Sequence, residues 1–448
     1  MTNTLYLPEL REMLAENNAA ELREFCEALH PARTAEFMEG LSAPEMWAVL
    51  RHADPQLRVQ IFNFLDYEKQ IEILQDADRA EIAQLVSDLP PDDRVDLLEE
   101  VNPEVVAELM PLLPVEERRD IQRLSSFPED SAGAIMTTEF ARLSENLSVR
   151  QALDEIGRQA EDLETIYYLY VVDTEDHLRG LVSARQLVSK IGKPDTKIGD
   201  IMERDLVTVN VLDDQEQVAD KVAHYDLLAI PVVDDEWRLV GIITHDDVID
   251  VMREEAEEDA YHRGAVHPLE KSYLETRLVT LTWKRGIWLA VLFFAALLTA
   301  VTLEHHEAVI AGIPWLVLFL PLIVSTGGNS GNQSATLIIT ALSAGDVRVN
   351  DWARIVRREF LMGLMLGGSL AAVGYLCALS VAPGYYDATV IPITILLVVV
   401  CGTLTGSLLP LLFRRMGLDP AMMSNPFVAG LIDLLGIIIY MNVSLLML

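Results

Sequence analysis

One ionisable residue, Asp433, stands inside the apolar run that closes the chain at Leu448, within the stretch 425–440, NPFVAGLIDLLGIIIY. A carboxylate at bilayer mid-depth costs about 2.5–3.5 kcal/mol on insertion scales, and such residues face a bundle interior or a water-filled path, which makes Asp433 a functional candidate. Ala429 lies four residues before it, Gly436 three after and Asn425 eight before, so all four fall on or near one helical face. Small neighbours leave room beside the carboxylate, although Ala429 and Gly436 would equally serve close packing between membrane helices. A second polar stretch, 321–336 (PLIVSTGGNSGNQSAT), is too polar and glycine-rich for a lipid-facing span. Irregular backbone at that depth is tolerated where it is buried in protein or lines a cavity. Gly328, Asn329 and Asn332 are therefore candidates to line a pore or gate, against the alternative of tight packing through small residues.

A third concentration of chemistry is acidic. Eight carboxylates fall in the fourteen residues from Asp246 to Asp259. They repel one another unless cations collect there, and carboxylate oxygens suit Mg²⁺, a hard cation that keeps several waters and uses one or two carboxylates at a time. The alternative is a solvated acidic linker helix. Glu304-His305-His306-Glu307 could gather divalent cations, or be a plain polar loop. Cys26, Cys377 and Cys401 are scattered with no metal-ligand spacing, which argues against a disulfide framework or a zinc site. The spans offer only Asp433 where a membrane hydrolase would need a paired acid and base or a metal set, so no enzyme is expected.

The elements that must position these residues divide by composition near residue 286. Of the 34 basic and 69 acidic residues, 28 and 61 precede Gly286, a net of −33, whereas the remainder carries only −2. So acidic a module repels nucleic acid and anionic lipid and attracts cations. Its N-terminus is polar and acidic, without the pattern of a cleavable signal peptide. Residues 1–130 show helical periodicity in phrases such as 85–93 (LVSDLPPDD) and 109–117 (LMPLLPVEE), each ending one helix and starting another. Such stop and start signals predict an acidic all-α domain of short stacked helices in a superhelix.

An internal repeat occupies 131–252. Ile135-Met136 and Ile201-Met202 open the two copies, Tyr170-Val171-Val172-Asp173 matches Pro231-Val232-Val233-Asp234, and Gly180-Leu181-Val182 matches Gly241-Ile242-Ile243. The pattern resembles a tandem CBS-domain pair, an α/β regulatory module that in other proteins senses adenosine nucleotides or ions. That resemblance implies a nucleotide site where a Ser or Thr is followed three residues later by Asp. The second copy keeps it as Thr244 and Asp247, which makes ATP a candidate ligand, while the first has Ser183 and Gln186.

From 253 to 276 an acidic connecting (plug) helix is expected to continue toward Tyr273, with Lys271 and Arg277 near its end. Five apolar segments follow within 277–448, near 286–303, 309–341, 360–382, 388–413 and 424–448, each able to span a core of about 30 Å. The second is expected to be bent or broken at Pro321 and again at Gly327-Gly328. Lys284-Arg285, Arg348 to Arg358 and Arg414-Arg415 all fall on one side of a five-span arrangement, which places the acidic half in the cytoplasm and the C-terminus outside.

A GGN-x-GNQ-x-A-T segment, an Asp419-Pro420-Ala421 loop, an Asn-Pro helix start, a buried Asp, a CBS pair and an acidic helical N-domain together resemble the MgtE family of bacterial magnesium channels. The resemblance covers essentially the whole chain. It implies a homodimeric, Mg²⁺-selective channel of the bacterial plasma (inner) membrane, closed when internal Mg²⁺ is abundant. It makes Asp433 the pore ion site, supported by Asn425, Ala429 and Gly436, with a glycine at 430 where the family more often has Thr or Ser. Two such carboxylates at a dimer axis would balance one divalent cation, held largely through its waters, and Mn²⁺ or Co²⁺ are further candidates. The cytoplasmic sensing set is Asp92, Asp93, Asp96, Asp226, Asp247, Asp250, Glu255, Glu258, Asp259 and Asp419. The rival is an ion-coupled secondary transporter for divalent cations, against which stand the lack of an inverted repeat and a single intramembrane carboxylate.

Overall fold

The computed structural model describes residues 6–160, 163–269, 273–274, 276–420 and 425–448. Lys271 and Ala421 lie outside them. The chain forms two compact units, Met1–Met252 and Arg253–Leu448.

The N-terminal part of the first unit is a helical superhelix: α1 (Leu7–Ala15), α2 (Ala19–Ala28), α3 (Pro31–Met38), α4 (Ala43–Leu50), α5 (Pro55–Asn63), α6 (Tyr67–Asp76), α7 (Arg79–Asp88), α8 (Pro91–Glu100), α9 (Pro103–Leu109) and α10 (Val115–Leu124). From α3 to α10 each helix starts twelve residues after the one before. Two residues ahead of these starts sits a small or aliphatic side chain, and Leu41, Ala53, Leu65, Leu89, Val101 and Leu113 are all buried. The fourth helical position closes the preceding helix. Arg58 donates to the carbonyls of Leu50, Arg51 and Ala53; Gln70 to those of Phe62, Asn63 and Leu65; and buried Arg94 to those of Val86, Ser87 and Leu89. Each polar side chain thereby satisfies carbonyls that a helix end leaves open.

The repeat folds as two sheets of the same topology. The first copy contains β1 (Phe140–Ser144), α11 (Val149–Gln159), β2 (Thr165–Val172), β3 (Leu178–Ser183) and α12 (Ala184–Ser189). The second contains β4 (Val209–Asn210), α13 (Gln215–His224), β5 (Ala229–Val233), β6 (Leu239–Thr244) and α14 (His245–Arg263). In each, the first two strands pair parallel and the last two antiparallel. The repeated Asp is a turn residue: Asp173 Oδ1 accepts from the Glu175 amide and Asp234 Oδ1 from the Glu236 amide, each at 2.9 Å.

The opening Ile-Met segments are exchanged. Met136, ahead of the first sheet, packs on Gly241 of the second, and Met202 packs on Gly180 of the first. A Cβ on Gly180 would stand 2.8 Å from the Glu203 carbonyl oxygen, and one on Gly241 2.9 Å from that of Thr137. The exchange explains why the two copies share one sequence pattern: neither sheet is covered without the other. Gly241→Ala should therefore destabilise the first unit by about 1–3 kcal/mol, as overpacking does, read as a lower midpoint in urea unfolding.

The second unit contains α15 (Leu278–His305), α16 (Glu307–Gly312), a 3₁₀ turn Pro314–Phe319, α17 (Leu320–Ser343), α18 (Trp352–Leu379), α19 (Val390–Arg415) and α20 (Asn425–Met447). Among the described residues four stretches are long and apolar enough to cross a membrane: Leu278–His305, Val349–Leu379, Asp387–Arg415 and Asn425–Met447. α17 has 24 residues, about 36 Å of helix, but its polar residues set it apart from those four.

Two expectations change here. The interruption falls ahead of Leu320, where Pro321 occupies the first helical turn and needs no amide partner. Gly327-Gly328 is no break, since α17 runs unbroken to Ser343. Its glycines are used for close approach: a Cβ on Gly402 of α19 would stand 2.8 Å from the Gly327 carbonyl oxygen, and one on Gly406 would collide with that of Gly331. Likewise α14 ends at Arg263, short of Tyr273, in a turn with Ala265 at φ 56°.

Candidate ion pathway and cation-sensing carboxylates

α20 begins at Asn425 and is apolar except for a few positions, so its packing against α17 and α19 fixes where Asp433 can point. Asp433 Oδ1 lies 3.1 Å from the place a Cβ on Gly328 would occupy, and the Ala429 methyl lies 3.6 Å from it. Gly328 is thus the floor beneath the carboxylate, and any side chain there would press on it. One turn along α17, Asn332 Oδ1 is buried without a hydrogen-bond partner among the described residues. A further turn on, Thr336 Oγ1 donates to Asn425 Oδ1 at 3.3 Å. Gly328, Asn332 and Thr336, four residues apart, make one polar seam opposite Asn425, Ala429 and Asp433. Thr336 is the member that sequence reasoning missed, although its spacing from Asn332 was a usable signal.

Two expected members face elsewhere. Asn329 is exposed and donates to Ser325 Oγ of its own helix at 3.2 Å. Gly436 lies against α19, where a Cβ would meet Val398 at 3.4 Å, an ordinary contact.

A second carboxylate stands in the bundle. The apolar run of the third segment starts just after Glu359, which set that residue at the edge of the expected span. In the structure it lies inside α18, and Ser334 Oγ of α17 donates to its Oε2 at 2.6 Å. It joins Asp433 as a second carboxylate among these helices.

In the first unit, carboxylates from three elements crowd together. Asp92 and Asp93 come from the first turn of α8, Asp246 and Asp247 from that of α14, and Glu164 from the residue before β2. Asp92 is 9% exposed, and its Oδ1 has no hydrogen-bond partner among the described residues. Asp93 Oδ2 accepts from Asn63 Nδ2 at 2.6 Å. Burial, then Asp247, Asp93 and Glu164, raises the Asp92 carboxyl well above the usual carboxylate range. Burial and then Asp247 push Asp93 up to about 6, despite the Asn63 bond. Glu164, at the exposed rim, is pushed up to about 7 by surrounding protein and then by Asp247, Asp246 and Asp93. Burial raises Asp247 as well, against its bond to Thr244. Such a group of acids holds protons that a divalent cation would displace. Glu164 was not foreseen, because nothing in its local sequence distinguishes it.

Asp96, Asp226 and Asp250 are exposed; Asp226 has φ 51°, and the Asp96 carbonyl accepts from Tyr67 Oη at 3.0 Å. Within the second unit, His262 lies between Glu258, 3.7 Å from its Nε2, and Asp419, 3.8 Å from its Nδ1. Asp259 Oδ2 accepts from Arg263 Nη2 at 2.8 Å, and burial, with Asp419 adding, raises its carboxyl against the opposing pull of Arg263. Glu255 is half-buried on the same helix. Among the described residues no three His, Cys, Asp or Glu side chains are placed to hold a metal ion directly, at the 304–307 loop or elsewhere.

Thr244 and Asp247 are occupied locally. The Thr244 amide and hydroxyl both donate to Asp247 Oδ2, starting α14, and Asp247 faces Asp92 and Asp93. Phosphate would be repelled there. A pocket of about 350 Å³ lies instead by the first copy, lined by Tyr167, Tyr168, Ser183, Arg185, Gln186 and Glu203 among others. Gln186 Oε1 is already taken by the amide and hydroxyl of Ser183, at 2.7 and 3.1 Å.

Comparison with known proteins gives a consistent set of matches. Residues 320–443 match the MgtE family model, described as a divalent cation transporter; residues 29–130 match the MgtE intracellular N domain; and residues 132–193 and 198–254 match the CBS domain. The magnesium transporter MgtE of Thermus thermophilus is 37% identical over 447 residues, 98% of either chain. That of Enterococcus faecalis is 33% identical over 328 residues, 72% of this chain and 71% of its own. A crystal structure of the cytosolic domain of the Mg²⁺ channel MgtE in complex with ATP is 36% identical with a TM-score of 0.51, covering 54% of this chain and 98% of that one.

Proposed function

The chain belongs to the MgtE family of divalent cation transporters, and from that premise we propose that it is a Mg²⁺-selective channel of a bacterial plasma membrane, closed by cytoplasmic Mg²⁺. The observation that carries the reading is Asp433, a carboxylate set over Gly328 in an otherwise apolar helix. In a homodimer two such carboxylates meet one hydrated dication at the axis. Asn332, Thr336 and Asn425 supply further oxygens along the seam. Binding has to remain weak enough for release, and contact through waters achieves that.

Closure follows from charge. The carboxylates on α8, on α14 and at Glu164 repel until cations bridge them, and Glu258, Asp259 and Asp419 add a second group beside the membrane helices. Cytoplasmic Mg²⁺ regulates because it binds the closed arrangement more tightly than the open one. Nucleotide, if it acts on this chain, would enter the first-copy pocket, and not the Thr244 and Asp247 corner. Mn²⁺ and Co²⁺ are further cargo candidates, and with α17 as a fifth span beside the four apolar ones the N-terminal half is cytoplasmic and the C-terminus outside.

The rival reading is ion-coupled transport, and Glu359 favours it by supplying a second carboxylate among the membrane helices. Mg²⁺ flux into proteoliposomes should run down the Mg²⁺ gradient alone and fall when Mg²⁺ is raised on the side of the N-terminal half. Flux that requires an imposed proton or sodium gradient would replace the channel by the coupled transporter.

A further inference from the structure

α17 carries a polar row on each of two faces. One is the seam of Gly328, Asn332 and Thr336 toward α20. On the other, Ser330 Oγ donates to the Val399 carbonyl at 3.5 Å, and Ser334 Oγ donates to Glu359 Oε2 at 2.6 Å. Glu359 is held in turn, since its backbone carbonyl accepts from Thr403 Oγ1 of α19 at 3.3 Å. Ser334 and Thr403 are only 4% and 1% exposed, while Glu359 itself is half-buried. A carboxylate that accepts from a buried hydroxyl of a neighbouring helix calls for a role, since a charge-assisted hydrogen bond is about twice as strong as a neutral one.

Helical geometry links the two faces. Asn332 and Ser334 are two residues apart, about 200° around the axis, so fixing the direction of one fixes the other. The glycines of α17 place backbone against α19 and offer little resistance to rotation there beyond the long 3.5 Å bond from Ser330 Oγ to the Val399 carbonyl. The Ser334 bond is the side-chain tie to α18 that does resist it.

We propose that Glu359 is a positioning residue of the ion pathway: by holding Ser334 it sets the rotation of α17, and thereby the approach of Gly328 and Asn332 to Asp433. The proposal rests on the Mg²⁺-transport reading. It requires an acceptor oxygen at position 359, whereas a proton carrier or a cation-attracting charge would require the carboxylate itself.

The test compares the native chain with Glu359→Gln, Glu359→Ala, Ser334→Ala and the Glu359→Ala/Ser334→Ala double variant. Half-saturating Mg²⁺ and maximal flux are measured in proteoliposomes, and hydrogen exchange of residues 320–343 in detergent. Glu359→Ala and Ser334→Ala should each raise half-saturating Mg²⁺ by about tenfold, and the double variant by the same tenfold, because one interaction is being removed. Glu359→Gln, which keeps an acceptor, should stay within about twofold. Exchange in 320–343 should quicken in both alanine variants. Unchanged half-saturation in Glu359→Ala overturns the proposal, as does Glu359→Gln behaving like Glu359→Ala. If the native chain carries no Mg²⁺, the transport reading fails by itself. Exchange then decides the positioning role, and unchanged protection in both alanine variants would end it.

Discussion

Mg²⁺ flux is expected to fall by ten- to a thousandfold when Asp433 becomes Asn, with little change in the amount of folded protein. Asn keeps the size and polar atoms of Asp, so α20 can pack as before while the charge is lost. Unit charges about 4 Å apart attract by about 4 kcal/mol at an effective dielectric near 20, and a water between carboxylate and ion reduces that. The lower end of the range is the fully water-mediated case. Gly328→Ala provides a second arm that leaves Asp433 intact. Its methyl would stand 3.1 Å from Asp433 Oδ1, tighter than ordinary contact, and the carboxylate has to give way. Loss of flux in both variants ties permeation to the carboxylate and its floor. Native flux in Asp433→Asn would make the residue a structural one and remove the pathway assignment.

The difference between Asp433 and Glu359 shows what a sequence discloses about such a site. Asp433 stands eight residues inside a helix whose other residues are nearly all apolar, so hydropathy alone isolates it. Glu359 follows Arg357 and Arg358, and the apolar run begins only at Phe360, so the same reasoning assigns it to the cytoplasmic edge. Its partner Ser334 is 25 residues away on another helix, and no local pattern joins them. α17 illustrates the converse error: polarity and glycine suggest broken backbone in isolation, yet Gly402 and Gly406 of α19 supply the matching surface that keeps it helical.

In the first unit the helical character was legible from the proline starts, but the twelve-residue period was not, because α6, α7 and α10 begin without proline. The period is carried by buried positions such as Leu41, Leu65 and Leu89, whose identity alternates with Ala and Val. The Thr-x-x-Asp pattern at 244–247 was legible as a motif, but not that its carboxylate starts a helix and meets Asp92.

The acids around Asp247 give the second large effect. Asp92, Asp93, Glu164 and Asp247 all titrate above their unfolded values, so between about pH 4 and pH 7 the folded unit holds more protons than the unfolded chain. Their contribution to stability is present below the unfolded value and is lost as pH rises through the folded one. Without divalent cations the first unit should therefore weaken between pH 5 and pH 7.5. Asp93 alone, raised to about 6, accounts for about 1 kcal/mol over that window, or a few degrees of melting temperature. Mg²⁺ should restore most of that at pH 7.5 and little at pH 5, where protons already neutralise the acids. Thermal melting of the full chain in detergent, with chelator or Mg²⁺ at each pH, reads all four conditions. Replacing Asp92 and Asp247 by Asn should flatten the pH slope, leaving the part due to burial of Asp93 and Glu164, and weaken the Mg²⁺ response. In proteoliposomes the same pair should raise the cytoplasmic Mg²⁺ needed for half-closure by at least about tenfold, leaving flux at low internal Mg²⁺ unchanged. A flattened pH slope with native closure would separate the two effects: the acids would then govern the stability of the first unit, and sensing would fall to Glu258, Asp259 and Asp419 of the second.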